Sequence, residues 1–396
     1  AEQRLPFMPY EPIRGDAARW RLAEHEIDAV LSGPGDWFAA EQRNLAPVVI
    51  QACKDTSTVD IAWELAAASG SFFLLRSFHD ELRQVHLAAL TACAQAGRAR
   101  GEAAMIRGIT VMRIMAARYE EAVADAERAL RIFAETGDEC GRGSMLGLRA
   151  ILRRKLGDTS AAIADAQASL RIARAGGFRL MEYLAQHTLA SILRERGDLA
   201  GAAGHAAQAL SIARALSQPA HEVAELITLG AIHRERGRFE DSERHFTEAL
   251  RIARGVGHRV YEANALVNLA RSRVISGSER AEETLAESLS LSRQLNLPFA
   301  NAANLHTLGI LARGQDRADD ALRHLETAVR MWRAQKATFQ LACTLEELGR
   351  TFAELGNADR AREAWREAHA WFDSLGNAAK AQQTAGLMAG VRRRPR

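Results

Sequence analysis

The chain has 396 residues, of which 26% are charged, and a formal net charge of +3 at pH 7. This near balance gives no reason to expect a nucleic acid or an anionic membrane surface as a partner. The four cysteines lie far apart without a C-x-x-C pair, which excludes a disulfide framework or zinc finger and favours a reducing compartment. Because we find no signal-peptide pattern and no run of about 20 apolar residues, we expect a cytoplasmic protein.

The chain opens with a segment that is rich in helix breakers. Residues 1–35, which include Pro6, Pro9 and Pro12, are typical of an extended lead-in or linker. Asp36 comes after the breaker Ser-Gly-Pro-Gly at 32–35 and can cap a helix. We therefore expect residues 36–57 to form an amphipathic N-terminal helix that packs on the adjoining repeat array.

The next 320 residues are repetitive. The phrase Ala129-Leu130-Arg131-Ile132 returns about every 40 residues, in the forms that begin at Ser169, Ala209, Ala249, Ser288, Ala328 and Ala368. A fixed period of this length is typical of a solenoid, in which each unit buries its apolar face against its neighbours. With a degenerate unit from about Val59 to Gly97, residues 58–377 form a predicted array of eight units, and residues 378–396 a capping helix with a basic tail.

Each period contains columns of small residues and of turn residues. The small column reads Thr110, Ala150, Ala190, Gly230, Ala270, Gly309 and Gly349. Seven residues later comes a first turn column: Ala117, Gly157, Gly197, Gly237, Gly277, Asp316 and Gly356. A second turn column reads Gly137, Gly177, Ser217, Gly257, Asn296, Lys336 and Gly376. Since glycine closes helices in the left-handed conformation, each period predicts two antiparallel helices that approach closely at the small column.

This pattern resembles the tetratricopeptide repeat. The best match is Leu229-Gly230, Gly237-Arg238-Phe239, Phe246 and Ala249. The period exceeds the standard of about 34 residues, and the tryptophan of the first helix and the closing proline are missing. The resemblance implies an all-α, right-handed α-solenoid of about eight antiparallel helical hairpins with extended helices.

The N-terminal part narrows the resemblance. Residues 36–45 (DWFAAEQRNL), 62–65 (AWEL) and 72–76 (FFLLR) are similar to the segment that precedes the repeat array in AfsR-like, SARP-type actinobacterial transcriptional regulators. In that family the array comes after a DNA-binding domain and an NB-ARC nucleotide-binding module, and it senses or relays a signal. Neither module lies within these 396 residues.

The sequence offers no constellation for catalysis. It has no glycine-lysine pair and hence no Walker A loop, and the twelve histidines form no H-E-x-x-H motif. The basic runs Arg153–Lys155 and Arg392–Arg396 lack interleaved aromatic residues, so we expect no direct nucleic-acid contact. We predict a non-enzymatic protein without cofactor or metal.

A polar ladder recurs in the first helix of the repeats. Its members are Arg154, Arg194, Arg234 and Arg313, with His187 and His306 seven residues before two of them and therefore on the same helical face. In one interpretation this stripe lines the concave groove and binds carboxylates of an acidic or C-terminal peptide, which arginine does bidentately. In the other, the arginines pair with glutamates of neighbouring turns, such as Glu195, Glu235 and Glu354, or are merely solvated.

A second cluster is rich in amides. Asn264, Asn268 and Arg271 share one helical face, and Asn304 lies in the next unit. Asparagine is a poor residue for the middle of a helix, so several together need a reason. Amides in a groove can hold a peptide backbone, whereas Asn264 can also be a simple helix-start residue.

These observations predict a non-catalytic interaction or sensor domain of a bacterial transcriptional regulator. Its partner is a peptide, a protein or its own NB-ARC ATPase module, bound in the concave groove. The alternative is a free-standing adaptor for protein-protein interaction. The sequence leaves the oligomeric state open.

Overall fold

The computed structural model describes residues 34–75 and 78–391, together with a few single positions before residue 27. The predicted lead-in at residues 1–35 falls almost wholly outside this part of the chain, as do residues 392–396 of the basic tail. The described helices are α1 Pro34–Ala52, α2 Val59–Leu75, α3 His79–Gln95, α4 Ala99–Met115, α5 Tyr119–Glu135, α6 Glu139–Lys155, α7 Thr159–Gly176, α8 Arg179–Glu195, α9 Leu199–Ala215, α10 Pro219–Glu235, α11 Phe239–Gly255, α12 Arg259–Ser276, α13 Ala281–Gln294, α14 Pro298–Gly314, α15 Ala318–Ala334, α16 Thr338–Glu354, α17 Ala358–Ser374 and α18 Ala378–Gly390.

The predicted fold class is confirmed: the described residues form helices in consecutive packed pairs, as in a tetratricopeptide-like α-solenoid. Helices α2 and α3 form the first hairpin, and α16 and α17 form the eighth. Helix α1 precedes the hairpins, where we expect the N-terminal helix, and α18 comes after them, where we expect the cap. Helices of 17 residues alternate with three-residue turns, which accounts for the 40-residue period.

The turn columns behave as the sequence predicts. All fourteen positions have positive φ, and at five of them a residue other than glycine takes the left-handed conformation: Ala117, Ser217, Asn296, Asp316 and Lys336. The geometry of the turn, rather than the identity of its residue, is therefore common to every repeat.

The small column marks the closest approach of the two helices of a hairpin. A Cβ atom added at Gly230 would lie 2.5 Å from Cε1 of Phe246, and one added at Gly309 would lie 2.5 Å from Cγ of Leu325. At Gly349 the added atom would collide with the Trp365 ring. The large side chain of the second helix thus occupies the space that the small residue leaves free.

The chain divides into two compact units, whereas the sequence suggests one continuous array. Unit 1 comprises residues 1–156 and 160–188, and unit 2 comprises residues 157–159 and 189–396. The boundary lies inside α8, where the 40-residue period runs on without a break. A repeat pattern reflects how each hairpin packs on the next. Because this pattern is the same in both units, the sequence gives no sign of the boundary between them.

Each unit has its own core. In unit 1 the largest fully buried side chains include Phe72, Phe73 and Phe133. In unit 2 they include Phe246, Trp332 and Phe372. None of the described helices is long and apolar enough to cross a membrane.

Alanine at Gly230 should destabilise the protein, while alanine at Gly204 should stabilise it. The added methyl group at Gly230 meets the buried Phe246 ring, and such overpacking costs about 1–3 kcal/mol. Gly204 lies on the exposed side of α9 with nothing within 4 Å of an added Cβ, so Gly204→Ala should gain about 0.5–1 kcal/mol of helix stability. Urea unfolding of both variants measures the difference, and a stabilising Gly230→Ala would show that the two helices are not tightly packed here.

Candidate functional site

Unit 2 closes on itself through contacts between its first and last repeats. The Asn377 side chain caps α18, its Oδ1 accepting from Lys380 N at 3.1 Å, while its Nδ2 donates to Glu195 O at 2.9 Å. The Arg194 guanidinium lies over the Phe339 ring, 5.5 Å from its centroid. Residues about 145 to 180 positions apart thus meet, and polar side chains from the first helices of the intervening repeats lie near one another.

Five first helices of unit 2 and the capping helix α18 contribute one polar side chain each to a set that we call the inner row. Its members are Arg194, Arg234, Arg271, His306, Cys343 and Lys380. They act on one another electrostatically: the charges of Arg194 and Arg271 both contribute to the lowered pKa of Arg234, and those of Arg271 and Lys380 act on the pKa of Cys343. Burial is the largest influence on the pKa of the Cys343 thiol and raises it to about 11, so this thiol is uncharged.

Two of the predicted ladder arginines are neutralised by carboxylates. Arg194 Nη1 donates to Glu235 Oε1 at 2.7 Å. Arg313 donates to Glu347 Oε2 at 3.0 Å and to Glu354 Oε1 at 2.8 Å. For these two residues the glutamate-pairing interpretation of the ladder describes the structure.

The other end of the row is neutralised in the same way. Lys380 Nζ donates to Glu346 Oε2 at 2.8 Å, and Arg350 Nη2 donates to Glu346 Oε1 at 2.7 Å. Glu346 is 2% exposed, so this carboxylate is almost wholly used by its two cations.

Arg234 and Arg271 differ from their neighbours in having no carboxylate partner within the described chain. Arg234 is 8% exposed and makes only long hydrogen bonds, from Nη1 to Asn268 O at 3.3 Å and Oδ1 at 3.4 Å. Arg271 makes no hydrogen bond or ion pair with any described residue, and its Nε atom is buried without a partner. Burial of Arg234, and then the nearby charge of Arg271, lower the pKa of Arg234 to about 9, because both disfavour its charged form.

His306 stands beside these two arginines. It is 3% exposed, and its Nδ1 lies 3.0 Å from Thr344 Oγ1. Because the Thr344 hydroxyl donates to Gln340 O, Nδ1 must carry the proton in this contact. Nε2 is then a hydrogen-bond acceptor, and it is buried without a partner among the residues that the structure describes. Burial, followed by the charges of Arg271, Arg234 and Lys380, holds the pKa of His306 well below its usual range, so the ring is neutral.

The asparagines of the predicted amide cluster have two different roles in the structure. Asn268 donates through Nδ2 to Asn264 O at 2.9 Å and presents its Oδ1 to Arg234. The half-buried Asn264 lies one turn earlier on the same face, and its carboxamide makes no hydrogen bond within the described chain. Asn304 is fully buried instead, where it accepts from Ser288 Oγ and donates to Ser292 Oγ. Its amide holds α14 to α13, which corrects its assignment to the groove.

The remaining predicted residues belong to unit 1. Arg154 lies half-buried in the last turn of α6. The His187 ring stacks on Tyr183 with 6.1 Å between the ring centroids. The sequence ladder therefore spans both units, and only its later members lie in the inner row.

Three residues of this surface are absent from the sequence prediction: Cys343, Lys380 and Arg350. From Arg234 onward, successive members of the inner row are separated by 35 to 37 residues rather than by 40. Each repeat is rotated relative to the one before it, so the inward-facing position moves back by about one helical turn per repeat. A search for polar residues at a spacing of about 36 along the first helices could have found these three residues.

Comparison with known proteins agrees with this architecture. Residues 184–222 and 222–294 match the tetratricopeptide repeat family. The chain contains tetratricopeptide repeats. No curated protein matches its sequence significantly.

Several solved structures share the fold. A Rap protein complexed with competence and sporulation factor aligns with a TM-score of 0.62 and 14% identity, over 91% of this chain and all of that one. The Rap conjugation gene regulator of plasmid pLS20, in complex with the Phr* peptide, gives 0.60 and 10% over 85% of this chain and 97% of that one. A signal-transduction ATPase with a tetratricopeptide repeat sensor from Pyrococcus horikoshii gives 0.56 and 14%, over 93% of this chain and 55% of that one.

Removal of the unpaired charge of the half-buried Arg271 should stabilise the protein. Arg271→Met takes away a cation that has no anion and relieves its repulsion of Arg234, so we expect the free energy of unfolding to rise by about 1 kcal/mol or more. Arg313→Met should lower it, by up to about 1 kcal/mol, because Glu347 and Glu354 lose their shared partner. Thermal unfolding of both variants tests this, and a loss of stability in Arg271→Met would mean that Arg271 holds the repeats together.

Proposed function

We propose that the inner surface of unit 2 binds a peptide or an extended protein segment. The observation that carries this proposal is that the buried Arg234 and the half-buried Arg271 have no carboxylate partner among the described residues, while Nε2 of the buried His306 has no hydrogen-bond partner there. Buried polar groups in proteins are nearly always hydrogen-bonded, and an unpaired one costs free energy. A ligand that supplies the missing partners recovers this cost on binding.

The shape of the fold supports a peptide in particular. The structures with similar architecture include one with competence and sporulation factor and one with the Phr* peptide. An extended backbone offers alternating donors and acceptors, which suit the carboxamide of Asn264 on the same surface. No catalytic residue is required by this function, and we infer a non-enzymatic role.

We further propose that the chain is the sensor region of an AfsR-like transcriptional regulator in the bacterial cytoplasm. The N-terminal segments at 36–45, 62–65 and 72–76 carry this inference. The similarity in fold to a signal-transduction ATPase with a tetratricopeptide repeat sensor supports it. The ligand on the inner surface would then report to an NB-ARC module on the same polypeptide.

A peptide selection tests the binding function. A random library of synthetic peptides, anchored through the N-terminus, is screened with the full chain, and Asn264→Trp is compared with Arg251→Trp. Asn264→Trp places an indole on the inner surface, so we expect capture to fall at least about 10-fold. Arg251 lies on the second helix α11 with a side chain that is 68% exposed, and its variant should bind as the unaltered protein does. Unchanged circular dichroism and melting temperature establish that both variants are folded.

Equal capture by Asn264→Trp and the unaltered protein would place the ligand elsewhere. The regulator role has a separate test in the coding sequence upstream of Ala1. A Walker A motif in the same reading frame is expected, whereas a start codon beside Ala1 would favour the free-standing adaptor.

A further inference from the structure

A slot lies between the second helices of the last two repeats of unit 2. Its walls are α15 and α17, and α16 lies beneath them. The slot has a volume of about 310 Å³, which is at the lower end of the range for small-molecule sites in proteins. Its floor consists of buried apolar side chains: Val329, Leu345, Leu348, Phe352 and Ala364. An apolar group of a ligand would be removed from water on this floor.

Ion pairs between α15 and α17 bridge the slot at both ends. At one end Arg360 Nη2 donates to Glu326 Oε1 at 3.0 Å, and the Arg360 guanidinium lies 4.0 Å from the centroid of the Phe352 ring. At the other end Arg333 Nη2 donates to both carboxylate oxygens of Glu367, at 2.8 and 2.7 Å. Two helical turns, or about 10 Å, separate Glu326 from Arg333. A slot of this length with bridged ends suits a compact molecule better than an extended chain.

Between the two bridges lie one cation and one anion without an ionic partner. Arg330 on α15 lies one turn after Glu326, and Glu363 on α17 lies one turn after Arg360. Arg330 donates only to the Thr327 hydroxyl, at 2.9 Å, and Glu363 makes no hydrogen bond or ion pair with any residue that the structure describes. The bridges on either side show that the two helices are in register here. The middle of the slot therefore presents one free charge on each wall.

The repeat fold does not require this combination of residues. One repeat earlier, the positions equivalent to Arg330, Glu363 and Phe352 hold other residues: Ser290, Arg323 and Ala312. Two repeats earlier, Arg251 is equivalent to Arg330, but it donates to Glu248 on its own helix, at 2.9 and 2.7 Å. Neither earlier position thus combines a free cation and a free anion above an apolar floor.

We propose that this slot binds a free amino acid with a large apolar side chain. The α-carboxylate of the ligand pairs with the guanidinium fork of Arg330, and its ammonium group pairs with Glu363. Its side chain lies on the apolar floor beside Phe352. A ligand with a single charge would leave the charge on one wall without a partner. This inference is independent of the peptide-binding function proposed for the inner surface.

The affinity follows from the exposure of the two charges. Arg330 and Glu363 are both exposed, and water and salt weaken the attraction between exposed charges. We therefore expect a dissociation constant of about 0.1–1 mM, which corresponds to roughly 4–5.5 kcal/mol. Binding should weaken as the salt concentration rises.

Isothermal titration calorimetry of the full chain with L-leucine and L-phenylalanine tests the proposal. For the amino acid that binds more tightly, we compare an analogue without the ammonium group and an analogue without the carboxylate. Each analogue should bind at least about 10-fold more weakly than the amino acid, because one of the two charge pairs is lost. Equal binding of the amino acid and either analogue would refute recognition of both charges.

Three variants locate the site. Arg330→Gln should weaken binding of the amino acid at least about 10-fold and should not affect the analogue without the carboxylate, since that analogue has no group for Arg330. Glu363→Gln should have the corresponding effect for the analogue without the ammonium group. Arg251→Gln alters the equivalent arginine two repeats earlier and should bind as the unaltered protein does. Unchanged circular dichroism establishes that all three variants are folded.

Two further results would overturn the inference. One is the absence of any heat of binding for both amino acids at concentrations up to about 10 mM. The other is an equal loss of binding in Arg251→Gln and Arg330→Gln, which would place the ligand outside the slot. Neither result bears on the peptide selection, whose variant Asn264→Trp alters a different surface of unit 2.

Discussion

The close approach of two helices at one small residue per repeat is the constraint on which the rest of this structure depends. At Gly230 there is no room for a methyl group, because the ring of Phe246 from the second helix fills the space. The same contact recurs with Leu325 and Trp365 in later repeats. This contact concentrates the apolar packing between the two helices of a hairpin and their neighbours. One face of each first helix is then not needed for packing. Polar residues can collect on that face without cost to the core.

Closure of unit 2 changes the electrostatic environment of those polar residues. On an open solenoid the arginines of the first helices would be solvated, and their charges would be screened by water and salt. Here the Asn377 contact with Glu195 and the Arg194 contact with Phe339 bring the ends together, and the charges are close enough to act on one another. Most of them are satisfied by glutamates. Arg234 and Arg271 are not, and two neighbouring like charges without an anion are the kind of local destabilisation that proteins keep at functional sites.

The solved structures of similar fold agree with this chain in architecture at only 10–14% identity. Such a likeness extends to helix lengths, turns and the stacking of hairpins, which depend on a few small and apolar positions. At this identity the likeness shows the fold and carries no information about the side chains of the inner row. The binding function proposed for unit 2 therefore rests on its own residues Arg234, Arg271 and His306, and the fold only supplies the surface on which they lie.

The sequence by itself determined the repeat, the ends of its helices and the residues at its turns and contacts. Each of these depends on interactions within about 40 residues. Gly237 and Lys336, for example, both take the left-handed conformation that the turn requires. The sequence also placed Arg194, Arg234 and Arg313 in one ladder, as equivalents. Only the tertiary structure decided that two of them are paired while Arg234 is not, that Asn304 belongs to a helix contact, and that Cys343 and Lys380 join the row. Which side chains meet across repeats depends on the rotation of each hairpin relative to the last and on the closure of unit 2. These are properties of the whole stack, and no single period of the sequence contains them.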